Sequence, residues 1–217
     1  MFALTTLLPS RLLPNAAPLR NTLDLPALVG AAGWARLPAA VQHRFAVAHS
    51  DVTYEGLMNL RCSWVGHMYA ALARVLGGPL THLNTGAVPT TVRVSDNGHG
   101  GVIWERCFHT GAHGQDRIVR STKEVGANGG LLERTDGGLS MALDVFEEEG
   151  ALVFQSRSFW LVWGRLCIGI PALLTPGVCR VVHTDLGGGL FRFTLSMEHP
   201  LWGETFHQTG VFVDPVV

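Results

Sequence analysis

The chain has no excess of charge of either sign and almost no lysine. Among its 217 residues 16 are basic and 17 are acidic, which gives a formal charge of −1, and Lys123 is the only lysine. A surface that binds nucleic acid needs a clustered positive excess, so this balance argues against a nucleic-acid partner. The arginines are scattered along the whole chain. That distribution fits a genome-wide codon bias, although arginine forks also suit carboxylates and phosphates.

The sequence also lacks a cysteine framework, a secretory signal and a long apolar run. Its four cysteines are Cys62, Cys107, Cys167 and Cys179. They have no C-x-x-C spacing and lie among apolar residues, as buried thiols do in a reducing compartment. The amino terminus is apolar but has no basic region and is interrupted by prolines, which is atypical of a signal peptide. Because no run of about twenty apolar residues is present, we expect no membrane-spanning helix and a cytoplasmic location.

No motif of the sequence fixes a reaction. There is no G-x-G-x-x-G between a strand and a helix, which argues against NAD(P) binding by this chain alone, and no G-x-S-x-G elbow for nucleophilic catalysis. Cys107, His109 and His113 lie within seven residues of one another, with His99 nearby. Their spacing matches no strong zinc signature. The sequence therefore predicts neither a metal nor a cofactor.

The composition is typical of a globular domain with a substantial core. Apolar residues make up 47% of the chain and charged residues 15%, and a chain of this length can form one undivided domain. Residues 1–33 are rich in proline, leucine and alanine without clean periodicity, which predicts an irregular or short-helical amino-terminal arm. Residues 34–217 are predicted to form a single α+β domain.

Two helices are predicted near the start of that domain. The first follows Leu37-Pro38, since proline suits the first turn of a helix, and its apolar face would contain Val41, Phe45 and Ala48. The second has apolar residues at i, i+3, i+4 and i+7 and ends at a Gly-Gly-Pro sequence. Its apolar positions are Val65, Met68, Leu72, Val75 and Leu76.

After Pro89, alternating apolar residues and glycine-rich turns predict consecutive antiparallel strands. The nine candidates are Thr90–Ser95, Val102–Phe108, Gln115–Val125, Gly130–Arg134, Leu139–Phe146, Ala151–Trp163, Val178–Asp185, Leu190–His199 and Glu204–Val213. Val52–Cys62 alternates in part and is interpreted as a strand interrupted at Gly56. The proline-rich segment 168–177 is interpreted as a short helical turn or a lid. The predicted fold is α+β, with one or two N-terminal helices and a strongly curved, mainly antiparallel meander sheet or incomplete β-barrel.

Several short segments occur in an order that resembles a known family. They are Val88–Val94, Trp104–Phe108, Gly130–Arg134, Ile170–Pro176 and Phe191–Phe193 with His199–Gly203. On these segments, roughly residues 35–214 are similar to the bacterial domain-of-unknown-function family 4166. In that family the domain often follows an NAD(P)-binding domain of the saccharopine-dehydrogenase-like type. The resemblance implies a stand-alone version here, with any reductase as a separate chain.

The last two predicted strands flank Pro200-Leu-Trp-Gly203, as in an antiparallel hairpin. This turn brings Glu198, His199 and Glu204 close together in sequence. A carboxylate beside an imidazole can supply a general acid and a general base near neutral pH, so these three are the candidate catalytic residues. Solvated residues at an ordinary hairpin end would give the same pattern.

Arginines and tryptophans are the candidate ligand-binding residues. A Glu-Arg dipeptide occurs twice, at Glu105-Arg106 and Glu133-Arg134, and strand neighbours face opposite sides, so either both glutamates or both arginines could point inward. An inward arginine would anchor a carboxylate or a phosphate, whereas outward arginines would form cross-strand ion pairs. The tryptophans suit either a cavity mouth or the core. The candidate set is Trp104, Arg106, Arg134, Arg157, Trp160, Trp163, Arg192 and Trp202.

Three functional hypotheses follow from these observations. The first is binding of a small amphipathic molecule, lipid-like or polyketide-like, in a cavity closed by residues 171–176, with a separate reductase or a second copy as protein partner. The second is an enzyme without metal or nucleotide, such as an isomerase, cyclase or hydrolase, that uses the Glu/His acid–base group. The third is a partner-binding module that uses the leucine-rich amino-terminal arm.

Overall fold

The computed structural model describes residues 22–46, 51–74, 80, 83–111, 116–164 and 166–215. Several predicted features lie outside these ranges: residues 1–21 of the arm, Ala48, Val75, Leu76, the helix stop at 77–79, His113 and Gln115. No helix within the described ranges is long and apolar enough to cross a membrane. The four cysteines are free thiols.

The described part of the chain consists of eleven strands and four short helices. The helices are α1 (Leu25–Val29), α2 (Ala31–Arg36), α3 (Ala39–Phe45) and α4 (Trp64–Ala73), and a 3₁₀ turn spans Ala172–Leu174. The strands are β1 (Val52–Cys62), β2 (Thr85–Asp96), β3 (Val102–Phe108), β4 (Arg117–Val125), β5 (Leu131–Thr135), β6 (Leu139–Glu148), β7 (Ala151–Trp163), β8 (Leu166–Ile170), β9 (Val178–Gly187), β10 (Leu190–His199) and β11 (Gly203–Val213).

Ten of these strands form a closed antiparallel barrel. Each strand pairs with the next in the order β6-β5-β4-β3-β2-β1-β11-β10-β9-β7, and β7 pairs with β6 to close the ring. β8 extends the sheet beyond the ring by pairing with the end of β7. The prediction of a strongly curved antiparallel sheet is confirmed, but the molecule is a closed barrel rather than an α+β meander or an incomplete barrel. Twist between neighbouring strands accumulates over this many strands until the two edges can meet.

The predicted strands correspond to β2–β7 and β9–β11. β10 and β11 form the expected hairpin, with Phe191 opposite Phe212. On β10 the side chains of Phe191, Phe193, Leu195 and Met197 are buried. Alternate residues of a strand face one side, so this row lies on the inner face of the barrel.

Two segments differ from their prediction. β1 runs through Gly56 without a break. A Cβ at this position would lie 2.2 Å from the Val211 carbonyl oxygen, so glycine allows the neighbouring strand to approach closely. In the segment interpreted as a turn or lid, residues 168–170 belong to β8, and the helical turn is confined to Ala172–Leu174.

Short helices cover both ends of the barrel. α1 and α2 contact β6, and α3 contacts β9. Val41 and Phe45 of α3 are buried, as predicted. α4 follows the end of β1 and packs on β1 and β11. The barrel interior is therefore covered by α3 at one end and by α4 at the other.

The helix predicted around Met68 is confirmed, but its buried face differs from the prediction. The Ser63 hydroxyl accepts a hydrogen bond from the Gly66 N–H and caps α4. Val65 is buried, whereas Met68 and Leu72 are exposed. Small residues face the barrel instead, because at Gly66 a Cβ would lie 2.2 Å from the Thr205 carbonyl oxygen.

Candidate functional site

Three neighbouring strands line one side of the barrel interior with polar residues. Because alternate residues face inward, β3 contributes Trp104 and Arg106, β4 contributes Ser121 and Lys123, and β5 contributes Glu133. Lys123 lies directly opposite Glu133 in the register of the sheet, and Trp104 directly opposite Ser121. Polar side chains from all three strands therefore meet inside the barrel.

Lys123 and Glu133 form a buried ion pair. The Lys123 Nζ lies 3.1 Å from the Glu133 Oε1, and the Ser121 hydroxyl donates a hydrogen bond of 2.6 Å to the same oxygen. Burial alone would raise the pKa of Glu133, but these two partners and Arg106 lower it below its ordinary value. Glu133 is therefore a carboxylate at neutral pH. The Lys123 ammonium also lies 4.5 Å from the centre of the Trp104 ring, a cation–π distance.

Arg106 is a partly buried cation, and its Nε is fully buried without a hydrogen-bond partner among the described residues. Its side chain lines the cavity, and no described residue forms a hydrogen bond or an ion pair with its guanidinium. The guanidinium carbon lies 5.8 Å from the centre of the Phe193 ring. Burial lowers the pKa of Arg106, and the charge of Glu133 opposes that shift. Because arginine stays protonated in proteins, the cavity holds a positive charge that forms no hydrogen bond or ion pair with a described side chain.

The interior space has two lobes that share four residues. The shared residues, which form a waist between the lobes, are Trp104, Arg106, Lys123 and Phe193. The lobe beneath α3, here the α3 lobe, has a volume of about 60 Å³. The lobe beneath α4, here the α4 lobe, has a volume of about 170 Å³.

Aromatic rings surround His183 in the α3 lobe. The centre of the His183 ring lies 4.9 Å from that of Phe45 and 5.5 Å from that of Trp104. Neither ring nitrogen has a hydrogen-bond partner among the described residues. Burial, and to a lesser extent the nearby cations, lower the pKa of His183 well below its ordinary value. His183 is therefore a neutral imidazole that offers one donor and one acceptor to the cavity.

α4 and the 3₁₀ turn close the α4 lobe. The Tyr69 hydroxyl of α4 donates a hydrogen bond of 3.5 Å to the Leu173 carbonyl oxygen in the turn. Leu72 and Leu174 line the lobe although they are 68% and 67% exposed, so the lobe reaches the surface at these two residues. Residues 174–176 also line the lobe, and the segment interpreted as a lid thus lies over the cavity.

His199, one of the three candidate catalytic residues, is a buried structural link. Its Nδ1 accepts a hydrogen bond of 3.1 Å from the Leu201 N–H. The proton of the neutral ring is therefore on Nε2, which donates to the Leu173 carbonyl oxygen at 3.2 Å. His199 joins the β10–β11 turn to the 3₁₀ turn, and both of its nitrogens are engaged with backbone atoms.

The two glutamates of the same turn point away from the cavity. Glu198 is exposed, because its neighbour Met197 faces the interior. Glu204 lies 3.2 Å from Arg61 and 2.9 Å from His207 on the surface. The candidate acid–base residues are therefore adjacent in sequence but do not share a cavity, and none of the three lines either lobe.

Trp104 and Arg106 are the candidate ligand-binding residues that line the cavity. The others lie outside both lobes: Arg134, Arg157, Trp160, Trp163, Arg192 and Trp202. Two of these arginines form outer ion pairs, Arg134 with Glu124 at 3.0 Å and Arg157 with Asp144 at 3.3 Å. Trp163 is 81% exposed, and Arg192 is exposed because Phe191 and Phe193 face inward.

The expectation that both Glu-Arg dipeptides face the same way is not met. Arg106 faces inward on β3, whereas Glu133 faces inward on β5 and turns Arg134 to the outside. The reason is the spacing from a core residue on each strand. Val102 and Leu131 both face the core, and the dipeptide residue that lies an even number of positions after each is Arg106 on β3 but Glu133 on β5. One arginine and one glutamate are thereby placed in the same cavity.

Sequence reasoning missed Lys123 and His183. Lys123 is the only lysine and lies on a predicted strand two residues from Ser121, so the period-two pattern could have placed it inside. His183 lies two residues from the buried Val181 on β9, so the same pattern could have placed it on the inner face. Gln208, whose Oε1 has no partner among the described residues, also lines the α4 lobe and had no sequence signal.

A second group of functional atoms lies on the outer face of the barrel. The ligand atoms of Cys107, His109 and Asp116 are all within 4.8 Å of one another. The sequence placed His109 near Cys107, but Asp116 belongs to the other side of the loop. His99, which the sequence grouped with them, lies at the β2–β3 hairpin at the other end of β3.

Comparison with known proteins identifies the family of this chain. No curated protein matches it. A family model matches residues 37–212, which include all the segments on which the resemblance was based. That resemblance is confirmed, and the chain belongs to the family described as Domain of unknown function (DUF4166).

Proposed function

We propose that the barrel binds a small amphipathic molecule that carries a negative charge, and that Arg106 binds the charged group. The observation that carries this proposal is the Arg106 guanidinium, which lines both lobes and has no partner among the described residues. Buried charges in proteins are normally paired, because an unpaired charge loses its hydration without compensation. An anionic ligand would supply the missing partner.

The charge balance of the interior supports an anion rather than a cation. Lys123 and Glu133 neutralise each other, and Arg44 near the α3 lobe is paired with Asp214 through two hydrogen bonds. Arg106 then leaves one positive charge in the cavity. A guanidinium fork suits a carboxylate especially well, because it can donate two parallel hydrogen bonds.

The lining of the lobes supports an apolar ligand body with a few polar groups. Phe45, Phe191 and Phe212 line the α3 lobe, while Gln208 and Ser121 offer hydrogen bonds in the α4 lobe. An apolar cavity of about 150 Å³ can hold a benzene molecule, so the α4 lobe, at about 170 Å³, suits one ring or a short chain. A longer lipid-like or polyketide-like ligand would have to occupy both lobes and pass Arg106.

The first experiment is native mass spectrometry of the purified protein before and after denaturation. An anionic amphipathic molecule bound at one per chain would identify the ligand class directly. The second is calorimetric titration with benzoate and benzamide, which have nearly the same shape and differ in charge. We expect tighter binding of benzoate, and we expect Arg106→Met to remove the difference, since loss of a buried charge partner costs about 2–5 kcal/mol.

Arg134→Met is the matched control, because Arg134 forms an ion pair on the outer face. It should keep the preference for benzoate. Equal affinity of the wild-type protein for the two probes, or an unchanged preference in Arg106→Met, would refute the proposed anchor. A protein without any co-purified molecule that also fails to bind benzoate would refute the binding function.

The other predicted roles have less support. An enzyme that uses Glu198, His199 and Glu204 would need these groups at the cavity, whereas His199 is engaged with backbone atoms and Glu204 with Arg61. An accessory role beside a separate reductase, a homodimer, binding through the amino-terminal arm and a cytoplasmic location stay predictions from the sequence.

A further inference from the structure

Three different metal-binding groups meet on the outer face of the barrel, where β3 ends and β4 begins. Cys107 and His109 are two residues apart and therefore face the same side, and Asp116 immediately precedes β4. The Cys107 Sγ lies 3.8 Å from the His109 Nδ1, and the same Nδ1 lies 2.9 Å from the Asp116 Oδ2. The group is thus assembled from the end of β3, the residue after it and the residue just before β4.

These distances suit a single metal ion. Zinc binds sulfur at about 2.3 Å and imidazole nitrogen or carboxylate oxygen at about 2.0–2.2 Å, so tetrahedral ligands lie about 3–4 Å from one another. The three ligand atoms here are all within 4.8 Å of one another, so small side-chain rotations would complete the geometry. A thiolate with an imidazole favours zinc over magnesium or calcium, which prefer oxygen ligands.

The surroundings of the group also suit a cation. The His109 Nε2 lies 2.9 Å from the Thr91 hydroxyl oxygen, and a second hydrogen bond of this kind typically orients a histidine that binds metal. With a metal on Nδ1, the proton of the ring is on Nε2, and Nε2 donates a hydrogen bond to the Thr91 hydroxyl oxygen. Asp116 brings a carboxylate to the same place, and a negative charge attracts a divalent ion.

From these contacts we propose that Cys107, His109 and Asp116 bind a zinc ion. The three ligands among the described residues leave one tetrahedral position to be filled by water, by a further residue of this chain or by a group from another molecule. The site lies outside the barrel wall, whereas Arg106 lies inside it, so it is independent of the proposed ligand cavity.

The test is calorimetric titration of the chelator-treated full chain with zinc chloride, together with cobalt chloride and absorption spectroscopy. We expect one zinc ion per chain and a cobalt–thiolate charge-transfer band. Cys107→Ser, His109→Ala and Asp116→Asn should each weaken zinc binding by at least about tenfold, the lower end of the loss caused by removing an outer-shell partner. Thr91→Val should weaken it by about tenfold.

The matched controls are Cys167→Ser, His99→Ala and Asp136→Asn, which change exposed residues of the same types elsewhere. They should leave the zinc affinity unchanged, and Cys107→Ser alone should remove the charge-transfer band. Zinc binding that survives the three site variants, equal losses in the controls, or no binding at one ion per chain would each overturn the proposal. Circular dichroism of every variant shows whether it has folded, and benzoate binding should be the same in Cys107→Ser as in the wild type.

Discussion

Lys123 and Glu133 face each other across β4 and β5 inside the barrel, with Nζ and Oε1 3.1 Å apart. Their charges cancel, and the nearby guanidinium of Arg106 is left as the uncompensated charge of the cavity. A buried ion pair contributes little net stability by itself, because both ions lose their hydration. Its effect here is to hold a polar wall in a fixed arrangement within an otherwise apolar interior.

The first prediction concerns this ion pair. Glu133→Gln removes the carboxylate partner of Lys123 and leaves two cations, Lys123 and Arg106, in one cavity. We expect the free energy of unfolding to fall by about 3–5 kcal/mol, as when one member of a buried pair is removed. Urea denaturation at neutral pH measures the change.

Two variants control for the chemistry of that substitution. Lys123→Met combined with Glu133→Gln removes both charges and should recover most of the lost stability. Glu124→Gln changes a glutamate whose partner Arg134 lies on the outer face, and it should cost at most about 1 kcal/mol. Similar losses in Glu133→Gln and Glu124→Gln would contradict a buried pair.

The second prediction is that Arg106 lowers the stability of the ligand-free protein. Arg106→Met replaces a partly buried cation, which has no hydrogen-bond or ion-pair partner among the described residues, by an apolar side chain of similar length. We expect the free energy of unfolding to rise by about 1 kcal/mol, the lower end of the range seen when buried ion pairs are replaced by apolar residues, because Arg106 is only partly buried. Arg134→Met should change it by no more than about 0.5 kcal/mol. A loss of stability in Arg106→Met would mean that the arginine supports the fold instead of a ligand.

The third prediction is a pH dependence that arises from His183. Because the pKa of His183 is far below its ordinary value in the folded state, the unfolded chain takes up a proton that the folded chain does not. The stabilisation is thus present above the unfolded pKa of about 6.5 and is lost as the pH falls below it, at about 1 kcal/mol per pH unit. Urea denaturation between about pH 7 and pH 5 measures this slope.

His183→Leu should flatten that slope, whereas His99→Leu, which changes an exposed histidine, should not. Glu133 adds to the loss of stability only below its ordinary pKa of 4.5, because its folded pKa lies lower. A slope that is the same in His183→Leu and in the wild type would show that His183 accepts a proton in the folded state.

The fourth prediction separates structure from catalysis at the β10–β11 turn. His199→Ala removes both backbone hydrogen bonds of the imidazole and leaves the Leu173 carbonyl without this partner. We expect a loss of about 1–3 kcal/mol in the free energy of unfolding. Glu198→Gln and Glu204→Gln should leave both stability and benzoate affinity nearly unchanged. Loss of a measured turnover in Glu204→Gln with ligand affinity retained would instead support the acid–base enzyme.

Strand positions were predictable because strand patterning is local. A period of two residues is readable within each segment, and glycine-rich turns separate the segments, so β10 and its inward phenylalanines follow from the sequence. The buried face of α4 was not predictable from its large apolar residues. Met68 and Leu72 follow helical spacing, but close approach of the barrel backbone at Gly66 selects the small residues as the packing face.

The inward residues of the site were only partly predictable. The sequence left open whether Glu105 or Arg106 faces inward, and Trp104, two residues before Arg106, faces the same side as Arg106. Which neighbour of each Glu-Arg pair faces the cavity depends on strand register, and a shift of one residue exchanges the two faces. Register in turn depends on pairing with β4, where Lys123 lies opposite Glu133.

The sequence by itself determined the antiparallel strands, their hairpins and the family of this chain, because these depend on short-range patterns and on ordered motifs. Only the tertiary structure decided that β7 pairs with β6 to close the barrel, and that Arg106 and Glu133 share a cavity while Arg134 lies outside. The same is true of Asp116, which meets Cys107 and His109 across a loop. These arrangements depend on contacts between residues far apart in the chain, which become fixed only when the whole ring of strands adopts one register.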